Sequence, residues 1–260
     1  MIRSQRRLAF SLVPALVSMV AIAVPVAAAD SPYHHLHLTA TDAKAGGEWY
    51  AEHIGGELVG DGRVMFDDVL VVFFQKDEFE GSDGSSVDHV GFSYEDLDAK
   101  MAAWKAAGIP VLMEPRDVNG LFKFGFIEDP WGTKLEVMQD AETLGFHHIH
   151  LKSTDPEGTF GWYSEAFGGE KTKYKGLLDA LLYDDVWLMV QNSDAPMAAT
   201  EGRAIDHLSW SFPDLAAAAE MLKSKGVVFT MEPRPFRNIK IAFIEGPDGV
   251  RIELVEPAKE

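Results

Sequence analysis

The stretch that decides the fold is Phe126–Val137, FIEDPWGTKLEV, because it recurs near the end of the chain as Phe243–Leu254, FIEGPDGVRIEL. Each stretch joins two apolar runs through a turn rich in glycine and proline, a pattern typical of two neighbouring strands. Other segments repeat at a similar distance: Tyr33–Leu38 matches Phe146–Leu151, and Val87–Val90 matches Ile205–Leu208. The chain therefore contains two copies of a unit of about 115 residues, the size of a domain.

Each copy divides again into two halves with the same order of elements. In the first half, a predicted strand at Tyr33–Thr41 precedes a helix at Ala43–His53, and three strands follow up to Gln75. The second half repeats this order, with a strand at Asp88–Tyr94 and a helix at Leu97–Ala107. We therefore expect an α+β fold of four βαβββ modules, arranged as two tandem domains at residues 30–140 and 146–257.

The composition favours a folded protein and excludes several functional classes. The 260 residues are 47% hydrophobic, which is enough to build a packed core. The 23 basic and 41 acidic residues give a net charge of -18, so the surface should repel nucleic acids. The sequence has no cysteine, which excludes disulfides, thiol catalysis and iron–sulfur clusters.

Residues 1–29 have the pattern of a secretory signal peptide. Arg3, Arg6 and Arg7 form a positive start, and the uncharged segment Leu8–Ala29 ends in three alanines. The alternative is an uncleaved anchor, since such a segment is long enough to span a bilayer. Cleavage near Ala29 would give a periplasmic or secreted protein with no further contact to the membrane.

Three residues in each copy are candidate metal ligands, because each is a polar residue within a mainly apolar strand. They are His35, His89 and Glu136 in the first copy, and His148, His207 and Glu253 in the second. Two imidazoles and one carboxylate suit a divalent Fe, Mn, Ni or Zn ion with open positions for a substrate. The alternative is that they are unrelated polar residues at strand ends. We predict one such trio in each copy.

These segments resemble the vicinal oxygen chelate superfamily, which groups glyoxalase I, bleomycin and fosfomycin resistance proteins, methylmalonyl-CoA epimerase and extradiol dioxygenases. The resemblance is carried by the His-rich openings, the Asp-His pairs at 88–89 and 206–207, and the endings Phe126–Val137 and Phe243–Leu254. It implies that the two modules of a copy form curled mixed sheets that make one cup around a metal. It also implies that the first, fifth and last strands supply the ligands.

Further residues near these trios are candidates for substrate binding. His37 and His150 share a strand face with His35 and His148, so they are second choices as ligands or contact the substrate. The other candidates lie at the ends of the fourth strands or in matched loops after Glu-Pro: Gln75, Gln191, Arg116 and Arg234. An arginine there would clamp a carboxylate or phosphonate, or else pair with the glutamate two residues before it. His34 and His147 are expected to face outward.

The resemblance implies a metal-dependent enzyme acting on a small substrate with adjacent oxygen atoms, of the lyase, isomerase or dioxygenase type. The alternative is a protein that binds a small molecule without chemistry, as bleomycin resistance proteins do. The fourth strands, which end in Gln75 and Gln191, contain no carboxylate. The sequence departs there from glyoxalase I, in which a carboxylate of that strand serves as the base. A homodimer is compatible with either function.

Overall fold

A computed structural model describes residues 31–258 of the chain. The expected signal peptide, residues 1–29, lies outside the described residues. Within the described residues, none of the helices has the length and apolar character that crossing a membrane requires.

The described chain contains four modules with the same βαβββ order, as the sequence predicts. The first consists of β1 (Tyr33–Ala40), α1 (Ala43–Trp49), β2 (Glu57–Gly60), β3 (Arg63–Phe66) and β4 (Val69–Gln75). The second consists of β5 (Val87–Ser93), α2 (Leu97–Ala106), β6 (Val111–Val118), β7 (Phe122–Glu128) and β8 (Lys134–Gln139). The third consists of β9 (Gly145–Ser153), α3 (Pro156–Phe167), β10 (Glu170–Tyr174), β11 (Leu178–Tyr183) and β12 (Val186–Asn192). The fourth consists of β13 (Ile205–Ser211), α4 (Leu215–Ser224), β14 (Val228–Phe236), β15 (Ile239–Glu245) and β16 (Arg251–Glu256).

The helices begin at aspartates that lie seven residues after the strand histidines. Asp42, Asp96, Asp155 and Asp214 each cap a helix by accepting hydrogen bonds from backbone N–H groups of its first turn. Helix α1 continues into a π-helical turn at Tyr50–Ile54, which ends at Gly55 with a φ of 112°.

The four modules form two eight-stranded sheets, and each sheet combines one module from each copy. The strand orders are β14-β15-β16-β13-β1-β4-β3-β2 and β10-β11-β12-β9-β5-β8-β7-β6. The first module therefore joins the fourth, and the second joins the third. The expectation that the two modules of one copy share a cup is wrong, because β1 pairs antiparallel with β13 and β5 with β9. Parallel pairs such as β1 with β4 make both sheets mixed.

The strands at the centre of each sheet have an apolar face, which packs in the hydrophobic core, and an opposite face that carries the histidines. Leu36 and Leu38 are fully buried in the main hydrophobic core, whereas the alternating residues His35 and His37 lie on the other face of β1. The core contains large aromatic side chains, among them Trp210, whose ring stacks on Phe167 with the centroids 4.3 Å apart.

β-Bulges interrupt the two strand pairs that join the copies. In β1 with β13 the register shifts at His34 and at Asp206, and in β5 with β9 it shifts at Asp88 and at His147. A bulge places two residues of one strand opposite a single partner, so it breaks the simple alternation of side chains between the two faces. Each of these bulged residues directly precedes a histidine that was predicted as a ligand.

The turn between β7 and β8 is built around Asp129, which is only 2% exposed. Its Oδ1 accepts hydrogen bonds from the backbone N–H groups of Trp131 and Thr133, and its Oδ2 accepts one from the hydroxyl of Tyr50. Burial raises the pKa of Asp129 to about 6, and the three donors only partly oppose this shift.

This buried carboxyl predicts a pH-dependent stability. Between about pH 4 and 6 the folded state holds a proton that the unfolded state has released, so stability falls as the pH rises. Asp129→Asn keeps an oxygen for the two backbone donors and has no charge to bury. We therefore expect the free energy of unfolding of this variant, minus that of the wild type, to rise by about 3 kcal/mol from about pH 4 to about pH 7. Urea unfolding at both pH values measures this. The exposed Asp77→Asn is the control, and an equal gain in that variant would contradict the prediction.

Candidate metal centres

The predicted ligands gather in two clusters, one on each sheet. Site I consists of His35, His37, His207 and Glu253, and site II consists of His89, Glu136, His148 and His150. Within each cluster, one donor atom from every residue lies within 4.8 Å of the others. The predicted trios are therefore grouped wrongly, because each is divided between the two sites. The cross-copy pairing is the cause, since it brings the first strand of one copy against the second half of the other.

In each site, histidine nitrogens lie around one carboxylate oxygen of that site's glutamate. In site I, Oε2 of Glu253 lies 2.9 Å from Nε2 of His35, 3.3 Å from that of His207 and 3.8 Å from that of His37. In site II, Oε2 of Glu136 lies 3.0 Å from Nε2 of His89 and 3.7 Å from that of His148. His37 and His150, which were predicted only as second choices, belong to the clusters.

Site II has the donor set that a divalent cation requires. The Nε2 atoms of His89 and His148 are buried, and although Oε2 of Glu136 lies 3.0 Å and 3.7 Å from them, neither makes a well-aligned hydrogen bond within the described residues. Leaving buried polar atoms unpaired is costly, and neutral imidazole nitrogens next to a carboxylate are typical ligands of Fe, Mn, Ni and Zn. The residues of site II therefore fit a divalent metal.

The charges of these groups match that interpretation. Burial acts to raise the pKa of Glu136, but His148 and His89 outweigh it and hold the pKa well below its ordinary value. Burial lowers the pKa of His148 to about 4. Burial also acts to raise the pKa of Glu253, yet His207 and His35 lower it to about 2. At neutral pH both glutamates are ionised and His148 is neutral, which are the forms that bind a metal. Burial acts to lower the pKa of His89, but Asp88 and Glu136 outweigh it and raise this pKa, so an ion that binds at Nε2 of His89 displaces a proton from the ring.

The bulges place an aspartate behind one histidine of each site. Nδ1 of His89 lies 2.7 Å from Asp88, and Nδ1 of His207 lies 2.6 Å from Asp206. A carboxylate on one ring nitrogen fixes the proton there and directs the other nitrogen toward the metal position. This role was not predicted from the sequence, although the Asp-His pair that recurs in both copies is a usable signal for it.

The other two bulges bring His34 and His147 onto the ligands, which corrects the expectation that they face outward. Their Nδ1 atoms lie 2.7 Å and 2.9 Å from Nδ1 of His35 and of His148, respectively. His147 is fully buried, and its Nε2 lies 3.5 Å from Asp140. Asp140 also accepts a hydrogen bond from the hydroxyl of Tyr174 and forms an ion pair with Lys175. In site II, two histidines are therefore held by buried side chains: His89 by Asp88 and His148 by His147.

A cavity of about 430 Å³ opens over site II. His89, Glu136, His148 and His150 contribute to its lining together with four aromatic rings, those of Phe122, Phe124, Phe126 and Tyr174. Two of the predicted substrate-binding residues, Arg116 and Gln191, also line this cavity. Arg116 lies in β6 rather than in a loop, and its guanidinium lies 4.7 Å from the centre of the Phe124 ring.

In site I, a phenylalanine ring occupies the position that Gln191 has in site II. Phe74 pairs with Thr39 in the strand register, as Gln191 pairs with Lys152, so these two positions are equivalent. The Phe74 ring stacks on His37 with the centroids 4.1 Å apart.

Two predicted substrate contacts are not brought into a site. Gln75 pairs with Ala40, one residue beyond Phe74, and therefore lies on the opposite face of β4 from the histidines. The expectation that Gln75 matches Gln191 is wrong by one residue. Arg234 is an exposed residue of β14, paired in register with Ile241.

The sequence profile of the Glyoxalase/Bleomycin resistance protein/Dioxygenase superfamily matches residues 33–137 and 145–254. The chain belongs to this superfamily. The two matches correspond to the two copies, whereas each sheet of this superfamily member combines halves of both copies.

Several relatives share this family. A probable lactoylglutathione lyase of Vibrio cholerae is 28% identical over 126 residues, which cover 42% of this chain and 88% of the relative. Glyoxalase I of Saccharomyces cerevisiae is 27% identical over 160 residues, or 49% of either chain. The crystal structure of glyoxalase I from Zea mays superposes with a TM-score of 0.69 at 20% identity, covering 87% of this chain and 92% of the maize protein. At that identity the maize structure supports the fold alone.

The cross-copy grouping of ligands can be tested by counting metal ions. We expect the wild type to bind one ion in each site. His35→Ala combined with Glu253→Gln removes two ligands of one site, so one ion should remain. His35→Ala combined with Glu136→Gln damages both sites, so almost no metal should remain. Elemental analysis after dialysis against Mn²⁺ or Zn²⁺ gives the count, with circular dichroism as the check on folding. Equal metal content in the two double variants would contradict the grouping.

Proposed function

We propose that this superfamily member is an exported metal-dependent enzyme, and that its reaction takes place at site II on a small substrate with adjacent oxygen atoms. The observation that carries the proposal is that three candidate metal ligands, His89, Glu136 and His148, lie with a further imidazole, that of His150, on the wall of a cavity of about 430 Å³. This combination of a concave apolar pocket and convergent polar groups is typical of active sites.

His89, His148 and Glu136 would hold the ion at site II. A divalent cation there supplies a Lewis acid that stabilises negative charge on the substrate oxygens. Asp88 keeps Nε2 of His89 directed at the site, and the aromatic wall limits the access of water to the substrate. Fe, Mn, Ni and Zn are all compatible with this set of two imidazoles and one carboxylate.

His150 is the residue best suited to move a proton in this cavity. Burial holds the pKa of His150 well below its ordinary value, so its imidazole is neutral at pH 7 but is a weaker base than an exposed histidine. Its buried Nδ1 has no hydrogen-bond partner among the described residues, so the ring has a nitrogen available for a proton. The residues of β12 that share the site-facing side are Trp187, Met189 and Gln191, and none of them is a base. Asp88 is engaged by His89 and by two lysines. A lyase or isomerase reaction would therefore use an imidazole where glyoxalase I uses a carboxylate.

The relatives favour a lyase or isomerase over a dioxygenase. Three similar proteins carry the name lactoylglutathione lyase or probable lactoylglutathione lyase, and a fourth is a glyoxalase I. The dioxygenase alternative is supported by the two-imidazole, one-carboxylate donor set, which is also that of ferrous oxygenases. Iron in the purified protein, together with oxygen consumption on catechols, would favour the dioxygenase.

The activity can be assigned to one site with single variants. We expect His89→Ala to abolish turnover of 2-oxoaldehyde–thiol adducts and to lose the ion of site II, whereas His207→Ala should retain turnover. His150→Ala should keep both ions and lower the turnover number at least about 100-fold, because it removes the proton acceptor alone. Metal content and melting temperature are measured for each variant.

Full activity of His89→Ala would disprove the assignment of the reaction to site II. Tight binding of substrate without turnover by the metal-loaded wild type would favour the binding-protein alternative.

The location is also a proposal, and it rests on the basic start and the apolar segment up to Ala29. Mass spectrometry of the protein from its native host should find a new amino terminus at or near Asp30, in a soluble extracytoplasmic fraction. An intact Met1 in the membrane fraction would contradict cleavage.

A further inference from the structure

The wall of the site II cavity carries a surplus of positive charge. Nζ of Lys134 lies 2.7 Å from Oδ2 of Asp88, and Nζ of Lys152 lies 2.6 Å from Oδ1 of the same carboxylate. The lysine side chains are 21% and 27% exposed, whereas that of Asp88 is 1% exposed. Two ammonium groups therefore share one carboxylate, which is also bonded to His89. With Arg116, three cations and two carboxylates, those of Asp88 and Glu136, line this cavity, so one positive charge remains unbalanced there.

The equivalent position of site I has no such surplus. Thr39 replaces Lys152, because both lie four residues after the first ligand of the strand and both pair with the equivalent position of the next strand. Arg251 replaces Lys134, and its guanidinium lies 2.8 Å from Asp206 and 3.7 Å from Glu201. One cation there faces two carboxylates, and the other cation of site I, Arg63 of β3, acts instead on the imidazole of His37. The pair of ammonium groups on one carboxylate is therefore a property of site II and not of the duplicated fold.

The two lysines lie at a definite distance from the metal ligands. Lys134 precedes Glu136 by two residues in β8, and Lys152 follows His150 by two residues in β9. Residues two apart share a strand face and are separated by about 7 Å along the strand. This separation is about the length of a single aromatic ring with one substituent.

Aromatic rings form a large part of the wall of the site II cavity. The rings of Phe122, Phe124 and Phe126 line it from β7, and that of Tyr174 lines it from β10. Arg116 is the third cation of the cavity lining, and its guanidinium lies over the Phe124 ring. Aromatic walls favour planar apolar groups, and a cation in a low-dielectric pocket favours an anion.

We propose that site II accepts an organic anion with a flat apolar body, and that Lys134 and Lys152 bind its anionic group while its adjacent oxygens face the metal ligands. This rests on the proposed function of site II as a metal-dependent active site. The pair of lysines then acts as a specificity determinant, because it distinguishes charged from uncharged substrates of the same shape.

The test compares two chelating probes that differ only in charge, 3,4-dihydroxybenzoate and 3,4-dihydroxybenzamide. Isothermal titration calorimetry with the metal-loaded full-length protein should show at least about tenfold tighter binding of the benzoate. Lys152→Thr, which copies the residue of site I, should remove this preference and leave the affinity for the benzamide nearly unchanged. Lys152→Arg should keep it. Lys173→Thr, which removes an exposed lysine paired with Asp179, is the control and should behave as the wild type.

The outcomes separate this proposal from the function on which it rests. Equal binding of both probes by the wild type, no binding of either, or a preference that survives in Lys152→Thr would overturn the anion site. A wild type that binds no metal would instead overturn the enzyme proposal. In that case the same titration of the metal-free protein still decides the anion site, because Lys134 and Lys152 do not depend on the ion.

Discussion

The antiparallel pairing of β1 with β13, and of β5 with β9, is the contact on which the rest of the structure depends. It joins the two copies through backbone hydrogen bonds, so that each sheet contains a module from each copy. It also brings His35 against Glu253 and His148 against Glu136. Neither copy contains a complete cluster of its own, and separating the copies would leave buried imidazoles and carboxylates without each other.

The same strand pairs use β-bulges to build a second layer around the ligands. In a regular strand, the residue before a ligand points to the other face. The bulges at Asp88 and Asp206 instead bring a carboxylate onto His89 and His207. This arrangement orients the imidazoles before any ion binds, which lowers the cost of ordering the site. The irregularity is therefore part of the site rather than a defect of the sheet.

The two sites have the same kinds of candidate ligands, three histidines and one glutamate each, but they differ in their surroundings. Site II opens into an aromatic cavity whose wall holds Lys134 and Lys152, whereas at site I the ring of Phe74 stacks on His37. Duplication preserved the donor atoms in both sites, while the substitutions of Thr39 for lysine and of Phe74 for glutamine affect only what can approach them. The structure thus concentrates the features of a binding pocket at one of two similar centres.

The sequence by itself determined the modular plan and the identity of the donors. The repeats and the period of the strands are local signals, so the four βαβββ modules and six of the eight residues that form the two clusters could be predicted from the sequence. The grouping of those ligands could not, because β1, β5, β9 and β13 have nearly the same pattern and any of them fits beside any other. Pairing partners in a sheet are chosen by contacts between residues distant in sequence, and bulges shift the register by single residues. Only the tertiary structure therefore decided that His35 belongs with Glu253, that Gln75 faces away, and that two lysines meet at one carboxylate.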